Sequence, residues 1–383
     1  MSEMDKLFRD NTNSNHTVSY VIGALLVAIV LFALAFYFFY SYFILLRPAS
    51  TPPKEEKAFS LSDLGGVQHN SKTETISNLQ NLYLLFSASP ANSTVVPTLY
   101  MQAIDKADFF KVNKNTGSSI YNADLQDKTL IALEVNQSQL EQGKTVNQVA
   151  RIIMDENFLD DFSVLDARVL NVNLEKFRYI SKLALSPDKK YILISATDEQ
   201  VEHKRAYFNA WSIYLINIKD ASVTKLFNGV APEWVSDSSF VFISENGLYI
   251  FNIKSKIGRL TIRDTTKTVT DELVYNKNSR ILAWSNHRDA KIYLFKVKDT
   301  KIGIFNLVDI IKKQAISLAF NRNGGLLSFI EFDGKSAREI KNARLRLYDL
   351  NKRNFVPHRQ EDDVLENDIY IIKMRSVGLI RYK

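Results

Sequence analysis

The chain has 383 residues, 46% hydrophobic and 24% charged, which are values of a folded globular protein rather than a disordered one. It contains no cysteine, which excludes disulfide bridges, thiolate metal sites and cysteine nucleophiles. The net charge of +7 fits either an ordinary solvated surface or attraction to an anionic partner. This length allows two ordinary domains or one large repeat domain.

A long apolar segment lies near the start of the chain. Residues 11–46 contain no Asp, Glu, Lys or Arg, and residues 18–46 are almost wholly apolar. The hydrocarbon core of a bilayer takes about 20 such residues. A cleaved signal peptide has a shorter apolar region, of about 7–15 residues. We therefore predict a single uncleaved transmembrane helix at residues 18–46.

The flanking segments suggest how this helix is oriented. Residues 1–17 form a short polar tail, and residues 47–66 read as a linker that three prolines stiffen and charged residues keep solvated. The basic residues on the two sides of the helix do not decide the orientation. A short tail before a large domain favours a cytoplasmic tail, with residues 67–383 outside the cytoplasm at the cell membrane.

One two-part pattern recurs four times between residues 183 and 350. Each copy has an apolar stretch, a polar turn and a second apolar stretch, followed by a short apolar strand. The turns align at Asp188, Asp237, Asn278 and Asn323. The flanking runs are rich in β-branched and aromatic residues and are nearly continuously apolar, which predicts strands buried on both faces. Repetition at this period indicates one structural unit stacked on copies of itself.

The first turn carries a resemblance to a known family. Its sequence is Leu185-Ser186-Pro187-Asp188-Lys189-Lys190. It resembles the Leu-Ser-Pro-Asp-Gly-Lys turn in the WD40-like repeats of TolB-like β-propellers, with Lys189 where that family often has glycine. The resemblance is clearest over residues 177–353 and implies an all-β propeller of four-stranded blades. At about 45 residues per blade the domain allows six or seven blades, and its length favours seven.

Further strands are predicted outside the four clear copies. Upstream they are residues 82–87, 99–104, 129–135 and 170–174, and residues 149–162 have a weak helical period that suggests an inserted helix. Residues 368–374 and 378–382 are strand-like again. They are expected to close the ring by pairing with the first segment of the domain, because propellers protect their edges in this way.

No catalytic pattern stands out in the sequence, which predicts no catalytic residue, metal or cofactor. The five histidines are scattered, and there is no Gly-x-Ser-x-Gly motif and no phosphate-binding glycine loop. The acidic groups at residues 155–161 and 361–363 lack the spacing of a calcium loop, so a solvated acidic face is the preferred interpretation. Packing in the core or at a blade edge is preferred over a place at a ligand-binding mouth for the three tryptophans: Trp211, Trp234 and Trp284.

The expected function is therefore a membrane-anchored binding or scaffold module with a protein or anionic polymer as partner, and no nucleic acid. Two alternatives stay open: a propeller enzyme of the lyase or glycosidase kind that uses a central funnel, and a scaffold that faces the cytosol. Basic residues cluster in two stretches and are the first candidates for binding. These candidates are Lys254, Lys256, Arg259, Arg263, Lys341, Arg344 and Arg346.

Overall fold

The computed structural model describes residues 59–60, 82–88, 98–104, 109–112, 118–136, 138–139, 142, 146–160, 165–198, 208–301, 303–333, 341–357 and 375–381. All of them belong to one compact unit, Ala58–Lys383. Within these ranges no helix is both long and apolar enough to cross a bilayer. The transmembrane helix predicted at residues 18–46, with its tail and most of its linker, lies outside the described residues.

Strands make up nearly all of the described secondary structure. A short helix, α1 (Val146–Val149), and a single 3-10 turn (Phe208–Ala210) interrupt them. In chain order the strands are β1 (Phe59–Ser60), β2 (Leu82–Ala88), β3 (Thr98–Ala103), β4 (Phe109–Lys111), β5 (Ser118–Gln126), β6 (Thr129–Asn136), β7 (Ala150–Asp155), β8 (Arg168–Leu170), β9 (Tyr179–Leu185), β10 (Tyr191–Thr197), β11 (Ser212–Asn217), β12 (Val223–Asn228), β13 (Val230–Trp234), β14 (Ser239–Ser244), β15 (Gly247–Asn252), β16 (Ile257–Arg263), β17 (Glu272–Asn276), β18 (Ile281–Asn286), β19 (Lys291–Asp299), β20 (Ile304–Ile311), β21 (Ala315–Phe320), β22 (Leu326–Asp333), β23 (Lys341–Asp349), β24 (Asn354–Phe355) and β25 (Arg375–Arg381).

These strands form five four-stranded sheets and one five-stranded sheet. Four of the four-stranded sheets take consecutive strands: β5–β8, β9–β12, β17–β20 and β21–β24. The fifth combines β25 with β2, β3 and β4. The five-stranded sheet is β13–β16 with β1 added in parallel on the outer side of β16. The described residues thus hold five four-stranded sheets rather than the expected six to seven four-stranded blades, with seven favoured, because the sixth sheet carries β1 as a fifth strand.

The first strands of the sheets form a closed ring. In order around the ring, β5, β9, β13, β17, β21 and β25 each contact the next, and β25 contacts β5 again. A ring of antiparallel sheets closed on itself is a β-propeller, which removes the exposed edges of an open sheet. The all-β propeller predicted from the repeats is confirmed.

Each pair of neighbouring sheets encloses its own apolar cluster, so the core is divided among the interfaces of the ring. On β10, Ile194 packs with Leu133 of one neighbouring sheet, while Leu193 packs with Phe240 of the other. Consecutive side chains of a strand point to opposite faces, and here both faces are covered. This explains the nearly continuous apolar runs, each buried Leu, Ile or Phe being worth about 1.5–3 kcal/mol.

The first repeat turn is stabilised by hydrogen bonds of its own serine side chain. The Ser186 hydroxyl donates to Asp188 Oδ1 at 2.8 Å and accepts the backbone N–H groups of Lys190 and Tyr191 at 3.1 and 2.9 Å. Lys189 has a φ of 58°, in the left-handed region that favours glycine. The serine hydroxyl thus holds the turn together, and Lys189 adopts its left-handed conformation at a conformational cost.

The sequence-based boundaries were partly wrong outside the clear repeats. The strands expected at residues 82–87, 99–104 and 129–135 are confirmed as β2, β3 and β6. The inserted helix is wrong, because residues 150–155 form β7, which pairs with β6 and has its last four residues buried. The strand expected at 170–174 is also wrong, since β8 ends at Leu170. The closing strand is confirmed as β25, antiparallel to β2, while residues 368–374 lie outside the described residues.

Candidate functional site

Charged side chains gather on the innermost strands of the ring, where they bond from one sheet to the next. Asp124 Oδ2 on β5 accepts the backbone N–H of Leu185 on β9 at 2.7 Å. Glu233 Oε1 on β13 accepts the N–H of Tyr275 on β17 at 3.4 Å. The three carboxylates that do this share one role, to receive a main-chain donor of the following inner strand: Asp124 from Leu185, Glu233 from Tyr275, and Glu272 from Leu318 at 3.3 Å.

Lys182 on β9 joins this arrangement into one cluster with Glu233 and Asp124. Its ammonium Nζ lies 2.5 Å from Glu233 Oε2 and 2.5 Å from the carbonyl oxygen of Leu273 on β17. The side chains of Lys182 and Glu233 are 23% and 17% exposed. A single lysine thus links the inner strands of three successive sheets.

The electrostatics of the cluster are dominated by burial. Burial raises the pKa of the Glu233 carboxyl to about 7, the Lys182 ammonium opposes that rise, and the nearby Asp124 carboxylate adds to it. Burial likewise raises the pKa of Asp124, against the pull of the Leu185 N–H and of Lys182. One lysine is shared by two desolvated carboxyls, so the cluster holds a proton more readily than exposed acids do.

Among the described residues, this cluster is a candidate for chemistry near the ring axis. Two carboxyls with unequal surroundings and one ammonium are groups that general acid–base catalysis uses. In this protein, however, both carboxyls already accept main-chain N–H donors and the ammonium already donates to a main-chain oxygen. These hydrogen bonds hold neighbouring sheets together, and any reaction at the cluster would have to leave them intact.

Other polar side chains tie neighbouring sheets in the same manner. The Ser87 hydroxyl donates to the Ile120 carbonyl oxygen, and the Ser285 hydroxyl donates to that of Ala315, both at 2.6 Å. Ser285 ends the second apolar run of the third repeat copy, and Ser87 lies in β2. Asn122 Nδ2 donates to the Ser181 carbonyl oxygen at 2.7 Å. These contacts fix the relative registration of the sheets.

The three tryptophans lie in the core, as expected from the sequence. Trp211, Trp234 and Trp284 are 8%, 3% and 0% exposed. Trp234 Nε1 donates to the Ala184 carbonyl oxygen at 3.0 Å, across the boundary between two sheets, and Trp284 Nε1 donates to Asp271 Oδ2 at 3.2 Å. Their role in this fold is packing and inter-strand bonding.

The first basic stretch lies at the surface on one sheet. Lys254 and Lys256 form the turn between β15 and β16, while Arg259 and Arg263 lie on β16, and all four side chains are exposed. Asn252 Oδ1 accepts the N–H groups of Lys254 and Ser255 at 3.0 and 2.9 Å, which fixes the turn. The structure therefore brings these four candidate residues together in one turn and in β16, the strand that follows it and that pairs with β1 at Ile262 and Arg263.

The second basic stretch is arranged differently. Arg346 on β23 is 15% exposed, and its Nε lies 2.6 Å from Glu331 Oε2 on β22, whose other oxygen is 2.5 Å from Lys313. Burial alone would raise the pKa of the Glu331 carboxyl, but its hydrogen bonds to Lys313 and Arg346 and the charges of these two residues leave that pKa below the ordinary value. Arg344 is partly buried opposite Glu331 in the strand register. Lys341 begins β23. Arg346 is thus part of an ion-pair network rather than an open cationic surface.

The acidic group at residues 155–161 is also structural where it is described. Asp155 accepts the backbone N–H groups of Asn157 and Asp166 at 3.0 and 3.1 Å, and Glu156 pairs with Arg168 at 3.2 Å. Asp160 pairs with Lys128 at 2.5 Å. Over the described ranges, no group of three or more His, Asp or Glu side chains is placed to hold a metal ion. Residues 361–363 lie outside those ranges.

Sequence reasoning missed the cluster of Asp124, Lys182 and Glu233. A usable signal was present, because each is an isolated charge inside a strand that is otherwise largely apolar or uncharged: Lys182 in β9, Glu233 in β13 and Asp124 in β5. What the sequence could not supply is the identity of the innermost strands, which brings these three positions together.

Comparison with known proteins gives likeness at the level of shape. No family model and no curated protein matches the chain. Among solved structures, TolB from Acinetobacter baumannii is 13% identical with a TM-score of 0.47, over 77% of this chain and 66% of that one. A structure of a nidogen/laminin complex is 11% identical with a TM-score of 0.47, over 78% of this chain and 97% of that one. An oligogalacturonate lyase in complex with manganese is 11% identical with a TM-score of 0.45, over 74% and 75%. Such values say nothing about activity, and the propeller rests on the strand order above.

Proposed function

We propose that this chain is a membrane-tethered β-propeller that acts as a binding or scaffold module outside the cytoplasm. Residues 18–46 would be the tether, and the propeller would recognise a protein or an anionic polymer. One observation carries the proposal: the acids near the ring axis bond to the backbone of the next sheet, whereas exposed cations collect in one turn and the strand that follows it. The acids near the axis contribute to stability because they are engaged in holding the ring together. The exposed cations have the same sign and lie on a rigid support, so they can attract an anionic partner.

The turn and strand from Lys254 to Arg263, called the cationic strand below, indicate what kind of partner would fit. Between Lys254 and Arg263 there are four basic residues and no acid. Such a strand attracts an anionic surface, and the attraction weakens with ionic strength because salt screens exposed charges over about 8–10 Å. The proposed partner is therefore a polymer or protein surface that carries closely spaced negative charges.

Reversing charge on this strand tests the binding role. The triple substitution Lys254→Glu, Lys256→Glu and Arg259→Glu is expected to weaken retention on dextran sulfate by about tenfold or more at low salt and to flatten its salt dependence. The measurement is bound fraction across a salt series, with the melting temperature as a check on folding.

A matched control separates local recognition from net charge. Lys219→Glu, Lys225→Glu and Lys298→Glu change the net charge by the same amount, at exposed lysines of two other sheets. The control is expected to keep most of the retention and its salt slope. Equal losses in the two triple variants would contradict a binding role for the strand and reduce it to ordinary solvated surface.

Protease accessibility tests the proposed location. Protease added to intact cells or spheroplasts is expected to degrade the part beyond residue 47, leaving a short membrane-embedded fragment. Complete protection, with digestion only after lysis, would reverse the orientation and favour the scaffold that faces the cytosol. Recovery of the intact chain in the soluble fraction would overturn the tether itself.

The enzyme alternative would use the inner cluster. Asp124, Lys182 and Glu233 lie close enough to influence one another, and the pKa of Glu233 is raised to about 7, as general acids require. A lyase or glycosidase acting there would lose activity on Glu233→Gln while keeping its fold. The binding proposal is preferred because these three side chains already form hydrogen bonds and an ion pair between neighbouring sheets.

A further inference from the structure

The five-stranded sheet carries information about where the chain enters the propeller. β1 pairs in parallel with β16, with Phe59 opposite Ile262 and Ser60 opposite Arg263. Phe59 therefore lies beside the last residues of β16. The turn between β15 and β16, with Lys254 and Lys256, lies at the other end of that strand, roughly 20 Å away.

The turn between β15 and β16 is cationic and partly apolar. Lys254, Ser255, Lys256, Ile257 and Arg259 are all exposed, and Ile257 retains 60% of its surface, the largest value among the exposed large hydrophobic residues described. A large apolar side chain flanked by basic ones fits the boundary between headgroups and acyl chains, where cations meet phosphates and apolar groups leave water. Lys256 has a φ of 56°, and Asn252 holds the turn, so the site is preformed.

The length of chain between the proposed tether and β1 limits how far Phe59 can lie from the membrane, and the turn lies within roughly 20 Å of Phe59 along β16. Residues 47–58 separate the apolar segment from Phe59. A fully extended chain covers at most about 3.3–3.6 Å per residue, which gives roughly 40 Å for these twelve residues. A short tether of this kind maintains a high effective concentration of the turn near the bilayer.

We propose that the turn Lys254–Lys256, with Ile257 and Arg259, docks onto anionic phospholipid headgroups of the membrane that holds the chain. The proposal rests on the tether put forward above and names the anionic partner of the cationic strand. Docking would fix the five-stranded sheet against the bilayer and leave the opposite end of the propeller, which includes Thr265, directed away from it.

The absence of cysteine makes a direct distance test possible. The full chain carrying Ser255→Cys, labelled with a donor dye, is placed in nanodiscs that contain a headgroup-labelled acceptor lipid. Thr265→Cys is the matched control, because it is exposed and lies past the other end of β16, a strand that spans roughly 20 Å. Discs of phosphatidylcholine alone are compared with discs that contain about one third phosphatidylglycerol. A charged surface acts only within about a Debye length, so the turn responds to the lipid charge only if it lies close to the surface.

Energy transfer from position 255 is expected to be about twofold or more above that from position 265 in anionic discs, and to fall in neutral discs or high salt. Adding Lys254→Glu and Lys256→Glu to Ser255→Cys should remove the dependence on anionic lipid. Equal transfer from both positions, or transfer that ignores lipid charge, would overturn the docking. If that result came with retained dextran sulfate binding, the proposed function would stand. Failure of the chain to incorporate into discs would instead overturn the tether.

Discussion

Deletion of residues 375–383 is expected to abolish cooperative folding of the propeller. β25 is the innermost strand of its sheet, pairs along β2 from Leu82 to Ser87, and contacts both β21 and β5. Its removal opens the ring and exposes the inner edge of β2 together with the apolar clusters on both sides. Natural domains are stable by only about 5–15 kcal/mol, and the loss of a central strand is of that order. The measurement is thermal and urea unfolding followed by circular dichroism.

Two controls make this deletion informative. Removal of residues 382–383 alone leaves β25 intact and is expected to leave the melting curve unchanged. A synthetic peptide of residues 375–383 added to the truncated chain should restore part of the transition, because it can pair with β2 in the same register. A truncated chain that melts as the whole chain does would show that the ring is closed by something other than β25.

Substitution Lys182→Met is expected to destabilise the protein by about 3 kcal/mol at pH 8. The change leaves the carboxyls of Asp124 and Glu233 without their shared cation, and the breaking of a buried ion pair typically costs about 3–5 kcal/mol. The low end of that range applies because 23% and 17% of the Lys182 and Glu233 side chains remain exposed. Urea unfolding at several pH values gives the measurement, and Lys225→Met on the exposed face of β12 is the control.

The cost should become smaller at acidic pH. Burial raises the pKa of Glu233 to about 7, and loss of the Lys182 ammonium removes an influence that lowers it. Between about pH 4.5 and 7 the folded state therefore takes up a proton that the unfolded state does not, so stability rises as pH falls through this window. Adding Glu233→Gln to Lys182→Met should recover much of the stability at pH 8. A loss that is independent of pH would contradict the proposed sharing of the cation.

The cationic turn and the inner cluster differ in how far sequence could predict them. Lys254, Lys256, Arg259 and Arg263 were singled out because their charges are close together in the chain, and a turn followed by a strand preserves that proximity. Arg346 was singled out in the same way, yet Glu331 on the neighbouring strand pairs with it. A local cluster of charge predicts a surface only where no partner strand supplies the opposite charge.

The repeat, the strand-rich composition, the burial of both faces of each sheet and the closing strand near residues 378–382 could be predicted from the sequence. Alternation and apolar content are properties of a few neighbouring residues, and they survive in any fold that buries them. Three features could not be predicted from the sequence: residues 150–155 form a strand, β1 pairs with β16 in parallel, and Asp124, Lys182 and Glu233 form one cluster. Each of these depends on pairing between residues that are distant along the chain. Closure of the ring stabilises that pairing, and no local sequence pattern specifies it.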